Sequence, residues 1–518
     1  MADHPEVVDV HSHVFNARYL PLKGIFLSHL GTPSAFKDWL AAAVAAILNH
    51  STGSSYSRRL SVAAAADGPE PILDDIWRSV AAELEARTTG WIVAAGIERP
   101  VREYVADRLE EEPLLAPLLE GEAILATSGD DAESPNGDDL TPYLDTALAT
   151  ARARRRARVE SLLEAVRGPG AAPGAMFDGL ARVARWLLKK LWKLMRVITG
   201  WWESLTDLLT FVRRMLMAER DIAAALADAY DEDQRVERFV HHMMDMEFAY
   251  PDAPPPRYLF AEQERRMRRL ADDADGALIG FTAYDPRRYG NGWSLPDLFT
   301  GVKFYPAMGY KPWANTDELQ PRVSGFLRRC VEDDIPVFAH CTPLGFQAYE
   351  GAGLNAHPEY WRMALSETGL ARLRLCLGHA GGTRMRNGDL SSHGWFARDD
   401  AEWSSADNFA RIVVELCRDH DRVYCEVGHL DDVLTATPDD LRAFEDNFAR
   451  EWARPAGDRV AFATRCMFGS DDHMPGMINR ASDLLAYFQG LFSRRRLDGF
   501  ADFCAGNART YLKVRAAT

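Results

Sequence analysis

From Phe239 to the C-terminus the sequence keeps one rhythm, in which short apolar runs alternate with longer amphipathic stretches. Strands joined by crossover helices require this alternation, because two parallel strands cannot pair until a long connection has carried the chain back. The runs are Phe239–Met244, Leu278–Thr282, Gly301–Tyr305, Pro336–His340, Leu373–Leu377, Val423–Val427 and Met467–Ser470. Helices are expected between them at Ala261–Ala271, Pro321–Asp333, Pro358–Ser366, Asp407–Asp419, Thr437–Trp452 and Pro475–Phe492. One more run, Val7–Val10 (VVDV), stands near the N-terminus and makes eight. Eight strands with intervening helices close as an α/β fold of the (β/α)8 TIM-barrel type. An open doubly wound sheet is the alternative, and it lacks a glycine-rich phosphate turn after the first strand.

At 518 residues the chain exceeds a bare barrel of roughly 250 residues, and the surplus falls between the first two strands. The expected division is residues 1–30 for the first strand and its loop, 31–235 for a mostly helical insertion, and 236–518 for the rest of the barrel. Within the insertion Trp186, Trp192, Trp201 and Trp202 form an apolar stripe, suited to packing against the barrel or against a second subunit of a homo-oligomer. A lid over the pocket is the sharper alternative, since the first βα connection opens on the catalytic face. The stretch Val183–Met217 is the most membrane-like, but Lys189, Lys190, Lys193, Arg196, Glu203 and Asp207 interrupt it, so no membrane span is expected.

Lys and Arg number 60 against 76 Asp and Glu, a formal charge of -16. That surface repels phosphates, so no nucleic acid partner is expected and the basic run Ala151–Arg158 reads as a solvated helix face. The 7 cysteines are scattered without metal-binding spacing, and the first residues carry no basic and apolar leader, so a reducing, cytoplasmic setting is expected.

In a barrel the residues just past each strand converge on one face. Strand one ends in His11 and His13, strand four carries Lys303, strand five ends in His340, strand six runs into His379, and strand eight ends in Asp471. His11 and His13, two apart on an extended segment, point to the same side and can grip one ion. Each histidine singly is a commonplace; four with an aspartate, all at strand ends and in barrel order, form a metal-ligand set. Imidazoles with a carboxylate suit a divalent metal, zinc by default, with manganese, iron, cobalt or nickel also compatible. Such an ion lowers the pKa of water from about 15.7 towards roughly 7 and polarises a carbonyl. Asp471 then serves as general base. Arg18, Asp245, Asp285, Arg287, Tyr305, Tyr310, Lys311, Gln347, His393, Glu426, His429, Asp472 and His473 are neighbours at the same face, with Arg287 and Lys311 suited to a substrate anion. Alternation along strand two sends one ring of His241 and His242 inward and the other toward the helices.

The segments DVHSHVFN, GVKFYPAMGY, PVFAHC, LGHAGG, FGSDDHMP and GNARTYL together resemble the amidohydrolase superfamily, nearest its amidohydrolase-2 branch, over residues 1–30 and about 236–518. The resemblance implies that His11 and His13 hold the more buried metal, that Asp471 is ligand and base, and that His340 and His379 complete one or two metal positions. GVKFYPA is similar to the strand-four segment of dihydroorotases, which implies a carboxylated Lys303 bridging two metals; a plain lysine contacting substrate is the alternative. In a mononuclear site His379 would polarise the substrate or move a proton instead. The function implied is metal-dependent hydrolysis of a C–N or C–O bond in a small-molecule amide, lactam, lactone or ester. A decarboxylase or hydratase of the aminocarboxymuconate semialdehyde decarboxylase type is the alternative, and a non-catalytic scaffold is a third.

Overall fold

The computed structural model describes residues 5–29 and 210–514, apart from 212, 232, 291, 388–389 and 475–476, together with residues 45, 48, 49 and 52. Eight parallel strands form one sheet: β1 (Val7–Ser12), β2 (Val236–His242), β3 (Leu278–Tyr284), β4 (Phe299–Phe304), β5 (Val337–Ala339), β6 (Leu375–Leu377), β9 (Val423–Glu426) and β10 (Cys466–Met467). The missing numbers belong to a small antiparallel hairpin, β7 (Met385–Asn387) and β8 (Leu390–Ser392), in the loop after β6. The outer strands meet: Val10 N donates to Phe468 O at 3.2 Å, Asp471 N to His11 O at 2.6 Å and His13 N to Asp472 O at 2.6 Å. With the parallel bridge between Ser12 and Asp472 the sheet has no free edge, and the fold is a TIM barrel.

Alternation sorts the strand residues. Val302, Phe304, Val337, Ala339, Leu375, Leu377, Val423, Cys425 and Cys466 pack outward in the large core beneath the helices. Val8, Val10, Val240, Ile279, Phe281, Phe338, Cys376, Tyr424 and Met467 fill the barrel interior. The C-terminal helix Asn507–Leu512 adds Ala508, Tyr511 and Leu512 to that inner layer, and Arg374, just before β6, donates to Tyr511 O at 2.6 Å. The end where strands begin is thereby plugged, leaving the opposite end for chemistry.

Helices cover the outside at Phe260–Asp273, Leu319–Glu332, Glu359–Ser366, Phe409–Asp419, Pro438–Ala453 and Ala481–Arg495. Their starts follow capping chemistry: Asn408 accepts from Ala410 N, and Thr437 accepts from Asp440 N with a proline in the first turn. Phe444, Phe448 and Trp452, one turn apart on Pro438–Ala453, pack against Phe488 and Phe492 of the next helix.

One expectation needs correction. The last long helix begins at Ala481 rather than near 475, because Met477 and Asn479 take turn conformations, Asn479 with a left-handed φ of 60°. The hairpin β7–β8 was not anticipated at all. Residues 31–235, expected to form the helical insertion, lie mostly outside the described residues, including Trp186, Trp192, Trp201 and Trp202. The described end of that stretch, helix Glu219–Ala227 with Phe211, Met215, Leu216 and Ile222, is buried in the large core. Among the described residues no helix is long and apolar enough to cross a membrane.

Candidate metal centre

His11 reaches the barrel interior because β1 breaks its alternation. The register against β2 shifts between Asp9 and Ser12, so Val10 of the inner layer is followed directly by an inward His11, whose ring lies 4.6 Å from Phe338. Asp9 turns the other way and ties the first strand to the last: Ser470 N donates to its Oδ1 at 2.9 Å, and Ser470 Oγ and Tyr230 OH donate to its Oδ2 at 2.6 and 2.8 Å. Phe338 forms the floor of the site, with the His242 ring 4.1 Å and Lys303 Nζ 4.3 Å from its centroid. Between the outward Val302 and Phe304, Lys303 points inward and is buried.

The structure brings the six residues named from sequence into one cluster. Asp471 Oδ1 is 3.0 Å from both His11 Nε2 and His13 Nε2. Lys303 Nζ donates to His11 Nε2 at 2.9 Å. His340 Nδ1 and His379 Nε2 face each other at 3.0 Å. Ligand atoms of His11, His13 and Asp471 lie within 4.8 Å of one another, as do those of His11, His379 and Glu426.

The tautomers follow from the partners. A carbonyl oxygen only accepts, so a ring nitrogen bonded to one carries the proton. His13 Nδ1 is bonded to His242 O at 2.9 Å, His340 Nε2 to Leu344 O at 2.7 Å, and His379 Nδ1 to Gly428 O at 3.0 Å. His11 Nδ1 meets the Glu426 carboxylate at 3.0 Å. In each ring the other nitrogen therefore presents a lone pair to the shared space. Burial holds His11 and His340 well below the usual histidine value, and brings His379 down to about 4 against the pull of Asp471. These rings are neutral at pH 7. Burial would raise Asp471, but the His429 donor on Oδ2 holds it well below the usual carboxylate range.

Lone pairs 3.0 Å from a carboxylate oxygen or from one another repel. A divalent cation among them removes that conflict, so the donor set fits a metal, with each imidazole oriented by its second hydrogen bond. The backbone is strained at the site too: His379, Ala380, His429 and Asp471 have φ of 62, 45, 57 and 63°. Left-handed geometry costs a non-glycine residue roughly 1–3 kcal/mol and persists only where the surroundings impose it.

The neighbours divide. His429 Nδ1 donates to Asp471 Oδ2 at 2.8 Å, and burial is outweighed by that carboxylate, lifting His429 to about 9. Glu426 lies inside the site. Arg287, in contrast, is consumed by Asp285 Oδ1 at 2.9 Å, Phe248 O at 3.1 Å and Met308 O at 2.8 Å, while Lys311 donates to Tyr360 OH at 3.0 Å. Arg287 is thereby committed, whereas Lys311 spends one of its three donors. Tyr305 stacks on His340 at 4.5 Å, and His473 Nδ1 donates to His13 O at 2.9 Å. The sequence signal for Glu426 was a lone acid closing an otherwise apolar strand, VYCE.

No family model matches the chain, and no curated protein matches it. Solved structures similar to it include a probable 2-pyrone-4,6-dicarboxylic acid hydrolase from Acinetobacter baumannii with citric acid bound, at 13% identity over 56% of this chain and 87% of that one, TM-score 0.34. Another is an amidohydrolase from Burkholderia multivorans with bound zinc, at 16% identity over 57% and 89%, TM-score 0.35. A third is 5-carboxyvanillate decarboxylase from Novosphingobium aromaticivorans with manganese, at 12% identity over 63% and 92%, TM-score 0.32.

Proposed function

We propose that this protein is a metal-dependent hydrolase of the amidohydrolase type, cleaving a C–N or C–O bond of a small-molecule amide, lactam, lactone or ester. The supporting observation is the set of four imidazoles, each with one nitrogen tied to an acceptor and the other turned into the space shared with Asp471. His11 Nε2, His13 Nε2 and Asp471 Oδ1 would hold one divalent cation, zinc by default; His340 Nδ1 and His379 Nε2 would complete that position or hold a second, with Lys303 between them. When bound, the ion supplies a Lewis acid that polarises a carbonyl and acidifies water.

The chain's own residues supply the rest. Asp471 is ionised and buried, and it accepts the proton of the attacking water. His429 holds Oδ2, which fixes the carboxylate with Oδ1 toward the histidines. Phe338 and the inner layer close the floor against bulk water.

The test is a panel of lactones, esters, lactams and amides offered to zinc- and manganese-loaded protein, with aromatic carboxylic acids beside them. Hydrolysis that chelator abolishes and metal restores supports the proposal. Release of carbon dioxide from the acids, with no hydrolysis across the panel, would overturn it in favour of decarboxylation.

A further inference from the structure

Glu426 closes β9 and is fully buried, in a strand whose other members are Val423, Tyr424 and Cys425. Its Oε1 is 3.0 Å from His11 Nδ1 and accepts from His379 N at 2.6 Å, and its Oε2 accepts from Gly428 N. One carboxylate thus touches groups from β1, from the turn after β6 and from the turn after β9. Among the described residues its side-chain partner is the neutral His11 ring, and no arginine or lysine lies within ion-pair distance of it.

The surroundings are built to admit it. A Cβ on Gly428 would stand 2.7 Å from Oε2, one on Gly378 would stand 3.4 Å from Oε1, and one on Gly469 would collide with Oε2 and lie 2.9 Å from His11 Cβ. Two of these strand ends, at Gly428 and Gly469, approach the carboxylate because glycine stands there; at Gly378 a Cβ would instead press on the Phe338 ring and Ala339 O. A buried anion is costly unless nearby charges offset it. The Lys303 amine is one such charge, and a cation at His11 Nε2, across the ring, would be another.

We infer that Glu426 is a positioning residue that sets the cation affinity of the centre through His11, an inference that rests on the metal reading above. The carboxylate holds the Nδ1–H tautomer, aims Nε2 into the site and makes that nitrogen a stronger donor. It also pins the backbone of His379 in its left-handed conformation.

The experiment measures the zinc Kd of chelator-stripped protein by competition with a chromophoric chelator, with circular dichroism to show that each variant is folded. Glu426→Gln keeps the shape and an acceptor for His11 but removes the charge, and is expected to weaken zinc binding about 10- to 100-fold. In a His11→Ala background the same change is expected to lose most of its effect, keeping only what passes through the His379 backbone. A folded Glu426→Gln protein with a wild-type Kd, or an undiminished loss in the His11→Ala background, overturns the inference. Should Glu426→Gln fail to fold, Glu426→Asp, which keeps the charge but withdraws it, is expected to weaken binding, and an unchanged Kd overturns the inference equally. Wild type that takes up no zinc overturns the metal reading itself, whereas wild type that binds beside an unaffected Glu426 variant overturns this inference alone.

Discussion

Asp471 and His241 show how far burial decides the role of a side chain. Asp471 is buried yet held ionised by the His429 donor on Oδ2, with Oδ1 facing His11 and His13. Asp471→Asn preserves the shape but cannot accept a proton, so turnover should fall by about 10²–10⁴-fold while the folded circular dichroism signal persists. Near-normal activity would place the base elsewhere. His241 is the opposite case, since neither ring nitrogen has a partner among the described residues and burial brings its pKa from 6.5 to about 3. The unfolded chain takes up a proton on this ring near pH 6.5 and the folded chain does not until about pH 3. Its contribution is therefore fully present above pH 6.5 and is lost as pH falls across that window, by up to about 1.4 kcal/mol per pH unit. His241→Leu should stabilise the protein by about 1–3 kcal/mol near neutral pH, by removing an unsatisfied polar group. The gain should grow from pH 6.5 downward in urea titrations. Parallel stability–pH curves for wild type and variant would show that the ring has a partner after all.

At the scale of elements, β4 carries the sharpest open choice. Alternation sends Val302 and Phe304 to the helices and Lys303 inward, where burial lowers its amine to about 8 against the pull of Asp471 and Glu426. An amine with that value is about one-tenth neutral at pH 7, against about three parts in ten thousand at the ordinary lysine value of 10.5, and the neutral form is the one that carbamate formation with carbon dioxide requires. Bicarbonate during reconstitution should raise the bound metal per chain, and Lys303→Ala should lose that response. A constant single metal per chain with and without bicarbonate would leave Lys303 as a plain amine.

The eight strands were legible because buried parallel strands are short, continuous apolar runs, as in Val423–Val427 and Pro336–His340. The hairpin was not: MRN and LSS are three residues each and carry no apolar period. Neither was the irregularity in β1, whose effect is seen only when Val10 and His11 turn out to face the same interior. Strand-end histidines announce themselves by position, so His11, His13, His340 and His379 were named as candidates from the chain alone. Which nitrogen each presents depends on carbonyls distant in sequence, such as Gly428 O for His379, and no local pattern encodes that. Glu426 and His429 stood only among the neighbours for the same reason.

For the whole molecule, the closed barrel separates stability from chemistry. The strand-starting end is plugged by Tyr511 and Leu512, and the other end gathers the polar residues, His379, His429 and Asp471 among them with left-handed φ. The described end of the long connection between β1 and β2 joins this core through Phe211, Met215, Leu216 and the Tyr230 hydroxyl on Asp9. Everything proposed about activity depends on a cation bound where the lone pairs converge. The direct measurement is elemental analysis of freshly purified protein, followed by equilibrium dialysis against zinc and manganese, on wild type and on the His11→Ala, His13→Ala double variant. At least one tightly held divalent ion per wild-type chain, absent from the folded double variant, is the expected result. Folded wild type that carries no metal and takes up neither ion would contradict the metal centre and the hydrolase built on it.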